Sequence, residues 1–304
     1  MSATIHIYFP SQWISGPALE RALRLAMTEE SDRMRVVYHF PLGCKVVVDA
    51  GARLLSLIHQ HVEDGWQVTL DFEDPDEALG YLNRAGFIRL LPPNVHVLPE
   101  RPNDTQVLVF EGTNDRLVEF KGISPHDPDA ARDIPQMLTE KVDVATAGRP
   151  DAKQLSGATY TILSELIGNI YEHSETRIDG FVALQVYRNA HKACVVVSDS
   201  GKGLLTTIRP ALGLYAPDLI NLSDAEVVDG LLTRGLSRHG SPRGAGLHSC
   251  AKYARTCGAT IDLRLATCAL TVSPNGIVSQ TTSGPFQDTI PLYGTHFCFN
   301  IPFD

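Results

Sequence analysis

The run CVVVSDSGKGL at residues 194–204 constrains the fold of this chain more than any other stretch. Val195, Val196 and Val197 read as a buried strand, and it stops where Asp199, Gly201 and Gly203 follow. A carboxylate emerging from a buried strand can accept a hydrogen bond from an exocyclic amine such as that of adenine. The glycines let the backbone turn sharply and approach a flat ligand. The same D-x-G-x-G pattern also suits an ordinary turn after a strand or a calcium-type loop, so on its own it does not choose a ligand. Residues 181–188 supply the preceding strand, joined through a turn at 189–192.

Upstream, residues 162–174 run ILSELIGNIYEHS. Leu163, Leu166, Ile167 and Ile170 recur at helical spacing and face a core. Glu165 and Asn169 then lie one turn apart, about 6 Å along the axis, so their polar tips can converge. A carboxylate and a carboxamide stacked this way can hold a hydrated cation and activate a water. A polar stripe on an amphipathic helix is equally its wet face. Glu172 and His173 follow on the next turn, where His173 suits packing or capping as well as ligand contact. Downstream, GLSRHGSPRGAGLHSCAKYAR at 235–255 puts Gly244 and Gly246 directly before a helix that carries Leu247 and Cys250. Free N–H groups and the positive end of a helix dipole make such a turn an anion site. Arg238, His239 and Arg243 add charge there, Arg243 nearest. Glycines before a helix also serve simply as loop ends.

The chain has 304 residues, which suggests two domains. Its formal net charge of -9 argues against a broad nucleic-acid or anionic-membrane surface. No apolar run has the length of a membrane span, and MSATIHIYFP reads as a strand rather than a signal segment, so a cytoplasmic location is expected. The six cysteines form no C-x-x-C pair and are expected as buried free thiols. In residues 1–98, strands and helices alternate with short turns, which implies an α/β layer fold. There, 54–61 reads as a helix preceded by a tight turn at 49–51. Residues 99–135, rich in proline, read as a bridge with a hairpin from 106–110 and 117–120. Residues 136–304 form the second domain, whose strands read as a mostly antiparallel or mixed sheet backed by helices, with the stretch 205–243 showing little periodicity.

Within the first domain, the element order and the run YLNRAGF at 81–87 resemble the STAS-like domains of bacterial regulatory proteins over residues 46–91. Such domains carry an Asp-Ser pair where phosphate is accepted; here Asp49 is followed by Ala50, so the resemblance implies a docking element and not a kinase substrate. In the second domain four patterns occur in order: E-x-x-x-N on a helix, D-x-G-x-G after a strand, G-x-G-L opening a later helix, and the terminal strand GTHFCFNIP. Together they resemble the histidine-kinase-like (GHKL) ATPases over residues 137–304, and S-E-x-x-x-N-x-x-x-H-S looks like the anti-sigma serine kinase branch. That resemblance implies a Bergerat-type α/β sandwich with a mixed sheet backed by helices, so the expected fold class is α/β and α+β. It implies ATP and Mg²⁺ as cofactors, with Asn169 coordinating the metal. Asp199 would bind the adenine amino group, and Thr295 would support it through a shared water. Gly201 and Gly203 would form the adenine-side turn; Arg243, Gly244, Gly246 and Leu247 would form the phosphate-side box. Glu165 would be the general base, and 205–243 the lid. A regulatory ATPase or serine kinase with a protein partner is the expected function. A nucleotide-dependent homodimer clamp and a sensing module without turnover are the alternatives.

Overall fold

A strand that reaches its neighbour through a crossover returning to the same end of the sheet pairs with it in parallel. The first hundred residues follow that rule in the computed structural model, which describes residues 4–26, 35–103, 116–127, 129–173, 175–234, 245–280 and 292–303. Strands Thr4–Tyr8 (β1), Arg35–Phe40 (β3), Gln67–Phe72 (β5) and His96–Leu98 (β6) form a four-stranded parallel sheet in the order β1-β3-β5-β6. Each new strand adds on the same side, so right-handed crossovers put the connecting helices on one face. Those helices are Gly16–Leu25 (α1), Val48–Glu63 (α2), Gly80–Arg84 (α3) and Phe87–Leu90 (α4). Trp13–Ile14 (β2) and Lys45–Val46 (β4) make a separate short parallel pair.

Helix α2 is buried over 12 of its 16 residues, which a helix on a protein surface cannot be. One side packs on β5 and the other on a second sheet. That sheet has seven strands in the order β12-β11-β10-β13-β9-β8-β7. They are Leu117–Ile123 (β7), Gly180–Tyr187 (β8), Lys192–Asp199 (β9), Thr260–Leu265 (β10), Ala269–Ser273 (β11), Gly276–Gln280 (β12) and Thr295–Pro302 (β13). Helices Ile134–Thr146 (α5) and Ala152–His173 (α6) cover its far face over β8 and β9, Asp224–Arg234 (α8) and Ala245–Thr256 (α9) cover it over β12, β11 and β10, and Leu204–Tyr215 (α7) follows β9. Along β9 the side chains alternate between these environments: Cys194 and Val196 join the core around α2, while Val195 and Val197 join the core beneath α6. The layers are therefore sheet, helices, sheet, helices.

Four expectations change. The second sheet is antiparallel at every pairing, so of the mostly antiparallel and mixed readings the mixed one falls. Short turns link β8 to β9 and β10 to β11 to β12, and β13 inserts between β10 and β9. Residues 49–51 are helical rather than a turn, because α2 starts at Val48; Gly51 serves close packing, since a Cβ there would lie 2.7 Å from the Phe120 ring. Residues 117–120, read as half of a hairpin in the bridge, belong to β7, which pairs with β8 as the edge of the second sheet. Its proposed partner at 106–110 lies outside the described residues. The aperiodic stretch 205–243 contains α7 and α8, held by their own small core of Ile208, Leu212, Leu219, Val227 and Leu231. All six thiols are free and buried, and no helix among the described residues is long and apolar enough to cross a membrane.

Candidate functional site

Asp199 ends β9 and sits directly across from Thr295, the first residue of β13. Its Oδ1 accepts the Gly201 N–H at 2.7 Å. Burial pushes the Asp199 carboxyl up to about 6, and the hydrogen bonds from Gly201 and Thr295 keep it from rising further. The Thr295 hydroxyl also accepts the Leu204 N–H at 3.3 Å, which ties the first residue of α7 to the same corner. Two turns meet here backbone to backbone. Gly203 and Gly294 both have positive φ, +77° and +92°. A Cβ on Gly294 would lie 1.9 Å from the Asp199 carbonyl oxygen, so only glycine fits. A cavity of about 180 Å³ opens beside the turns, with Leu204, Arg209 and Leu265 in its wall.

Helix α6 crosses over β9 and packs against α9. Glu165 is exposed on it and Asn169 half-buried. Neither side chain has a hydrogen-bond partner among the described residues. Burial, then the charge of Glu165, pushes the Cys250 thiol up to about 12, which puts the carboxylate beside α9. Gly246 and Leu247 lie in the first turn of α9; Arg243 and Gly244 fall outside the described residues, as does the side chain of His173. The structure thus brings Asp199, Gly201, Gly203 and Thr295 into one corner. Glu165 and Asn169 stand on the helix above that strand, and Gly246 and Leu247 on the helix packed against it. No hydrogen bond among the described residues joins the α6 pair to the Asp199 corner.

Sequence reasoning missed what holds this corner from behind. Ser198 and Ser200 flank Asp199, and both bond to α2 of the N-terminal unit. Ser56 Oγ and Ser198 Oγ are 2.9 Å apart, and Ser198 also meets His296 Nδ1. His296 Nε2 donates to the Tyr293 carbonyl at 2.8 Å, so its Nδ1 is the acceptor in that chain. Burial, with Arg264 and Arg53 nearby, holds the His296 pKa well below the ordinary value, so the ring is neutral. Gln60 Nε2 donates to Ser200 Oγ at 2.9 Å and to the Tyr293 carbonyl at 3.1 Å, while its Oε1 accepts the Tyr293 N–H at 2.9 Å. Helix α2 therefore grips both turns that frame Asp199. The available signal was a serine and a histidine inside otherwise apolar strands, VVVSDS and GTHFCF. No family model matches the chain, and neither a curated protein nor a solved structure matches it.

Proposed function

We propose that this chain is a Mg·ATP-binding regulatory protein that hydrolyses ATP or passes its γ-phosphate to a serine of a protein partner. The observation that carries this reading is the Asp199–Thr295 pair at the ends of two neighbouring strands, closed by glycine-only turns. A carboxylate is an acceptor-only group when ionised. It suits the 6-amino group of adenine and faces the 6-oxo group of guanine unfavourably. The α6 pair suits the other end of a nucleotide. The Asn169 carboxamide oxygen, free of protein partners among the described residues, is a hard donor of the kind Mg²⁺ takes while keeping waters and phosphate oxygens. Bound Mg²⁺ would neutralise phosphate charge. Glu165, exposed on the preceding turn, would take the proton from the attacking water or hydroxyl. Gly246 and Leu247, with N–H groups in the first turn of α9, would face the phosphates.

Thermal unfolding with Mg·ATP and with Mg·GTP tests the reading. Mg·ATP at a hundred times its Kd should add about 2.7 kcal/mol of stability, with a much smaller effect from GTP. No shift with Mg·ATP would remove the central claim. Incubation with γ-labelled ATP then separates free phosphate from labelled protein. Glu165→Ala should cut either product by on the order of 10²–10⁴ and leave nucleotide binding in place.

A further inference from the structure

A second cavity, of about 380 Å³, lies away from this corner, where the N-terminal unit meets β8. Its volume is within the range of about 300–1,000 Å³ typical of small-molecule sites, and junctions between folding units are a common place for them. Trp13 and Lys45 reach it from the β2–β4 pair, Tyr81 and Arg84 from α3, and Tyr187 from β8, with Glu77 in the wall as well. Three aromatic rings in one small cavity give it flat apolar surface.

The wall carries two cations, Lys45 and Arg84, two phenols, and two carboxylates, Asp76 and Glu77. The Tyr187 oxygen accepts the Val48 N–H at 3.1 Å, so its own proton still needs an acceptor. Among the described residues that proton has none, and neither has the Tyr81 hydroxyl. Burial raises both phenol pKa values, so both remain donors at neutral pH. Arg84 has no carboxylate partner among the described residues, and Lys45 has only the Trp13 ring, 5.5 Å away. Two cations, two phenol donors and two carboxylates around flat apolar walls suit a planar apolar body that carries a compact, strongly accepting group and, beside it, a cationic one. Asp76 and Glu77, both exposed, are the places for that cationic group.

We propose that this cavity binds a small aromatic carboxylate of amino-acid size, with the carboxylate taken by Arg84, Lys45 and the two phenols and the ring lying among Trp13, Tyr81 and Tyr187. An aromatic amino acid and its deaminated acid share that chemistry, and Glu77 is the group that would tell them apart. The site is independent of the nucleotide reading, because none of its residues belongs to the Asp199 corner.

Calorimetric titration of the full chain with L-phenylalanine, 3-phenylpropionate and inorganic phosphate tests it without nucleotide. Saturable binding of one or both aromatic carboxylates is expected, with phosphate at least tenfold weaker. Arg84→Ala, at an exposed position, should weaken aromatic carboxylates tenfold or more, and Tyr187→Phe should weaken them less. Glu77→Gln should weaken L-phenylalanine and leave 3-phenylpropionate unchanged; equal effects on both would remove the assigned role of Glu77. Absence of saturable binding by either aromatic probe would overturn the proposal. So would binding that Arg84→Ala and Tyr187→Phe leave intact, or phosphate binding as tight as theirs.

Discussion

Asp199 is the residue on which the nucleotide reading turns, and its environment makes the reading dependent on pH. The folded carboxyl titrates near about 6 because burial disfavours its charge. The unfolded chain releases that proton at the ordinary value of about 4. Between those values the folded state binds the extra proton, so this group favours the fold most at low pH and progressively less as pH rises through about 6. Adenine recognition runs the other way, since it needs the ionised acceptor. At pH 5, one unit below the folded pKa, Mg·ATP should bind about tenfold more weakly than at pH 7, because the ionised fraction falls from roughly nine-tenths to roughly one-tenth across the pKa. Adenosine, which carries no titrating phosphate, isolates the effect. Asp199→Asn should weaken adenosine at pH 7 and flatten its dependence between pH 5 and 7. An unchanged slope in that variant would assign the titration to another group.

At the scale of elements, α2 shows both what was legible in the sequence and what was not. Its apolar residues mark a helix, and the D-x-G-x-G turn after β9 is readable because strand end, carboxylate and glycines are contiguous. The role of α2 is not readable in that way. Gln60 and Ser200 lie 140 positions apart in the chain, and Gln60 and Tyr293 lie 233 apart. No periodicity reports which distant strand a helix will meet. The start of α2 was obscured for a related reason: Asp49 and Gly51 favour a turn locally, but packing on Phe120 keeps the segment helical. Antiparallel pairing of the second sheet was legible only in part: the short turn after β8 marks a hairpin, but β13, last in the chain, completes the middle of the sheet. The bidentate contact of Gln60 with Tyr293 makes a direct prediction. Gln60→Leu keeps the apolar bulk and strands a backbone N–H, at a cost of about 1–3 kcal/mol in chemical denaturation. Because the same contact frames Gly294 and Asp199, it should also raise the Kd for Mg·ATP several-fold. A surface variant of equal destabilisation on the far parallel sheet, such as one at Tyr8, should leave that Kd alone.

Over the whole molecule, the question is whether the N-terminal unit is an appendage or part of one fold. Its core is continuous with the back of the second sheet: Leu55 and Ile58 of α2 share a cluster with Phe181, Val196 and Cys298. A buried ion cluster crosses the same boundary. Glu20 on α1 takes the Arg264 Nε of β10 at 2.8 Å on Oε1 and its Nη2 at 3.3 Å on Oε2, with Arg53 of α2 at 4.0 Å. The Arg264 side chain is 1% exposed and that of Glu20 10%, so neither charge can be returned to water without opening the junction. Such a cluster is a poor source of net stability, but losing one member leaves uncompensated charge inside. Glu20→Ala should therefore cost about 3–5 kcal/mol, measured by urea unfolding. Exchanging both partners in Glu20→Met/Arg264→Met should recover much of that loss, since the buried charge at Arg264 goes with its partner. Trp66, next to the parallel sheet, and far-ultraviolet circular dichroism, which reports all helices, should follow one coincident transition in the parent chain. If instead the two probes separate, or Glu20→Ala unfolds with an unchanged midpoint, the two sheets fold as separate units and α2 does not couple their stability.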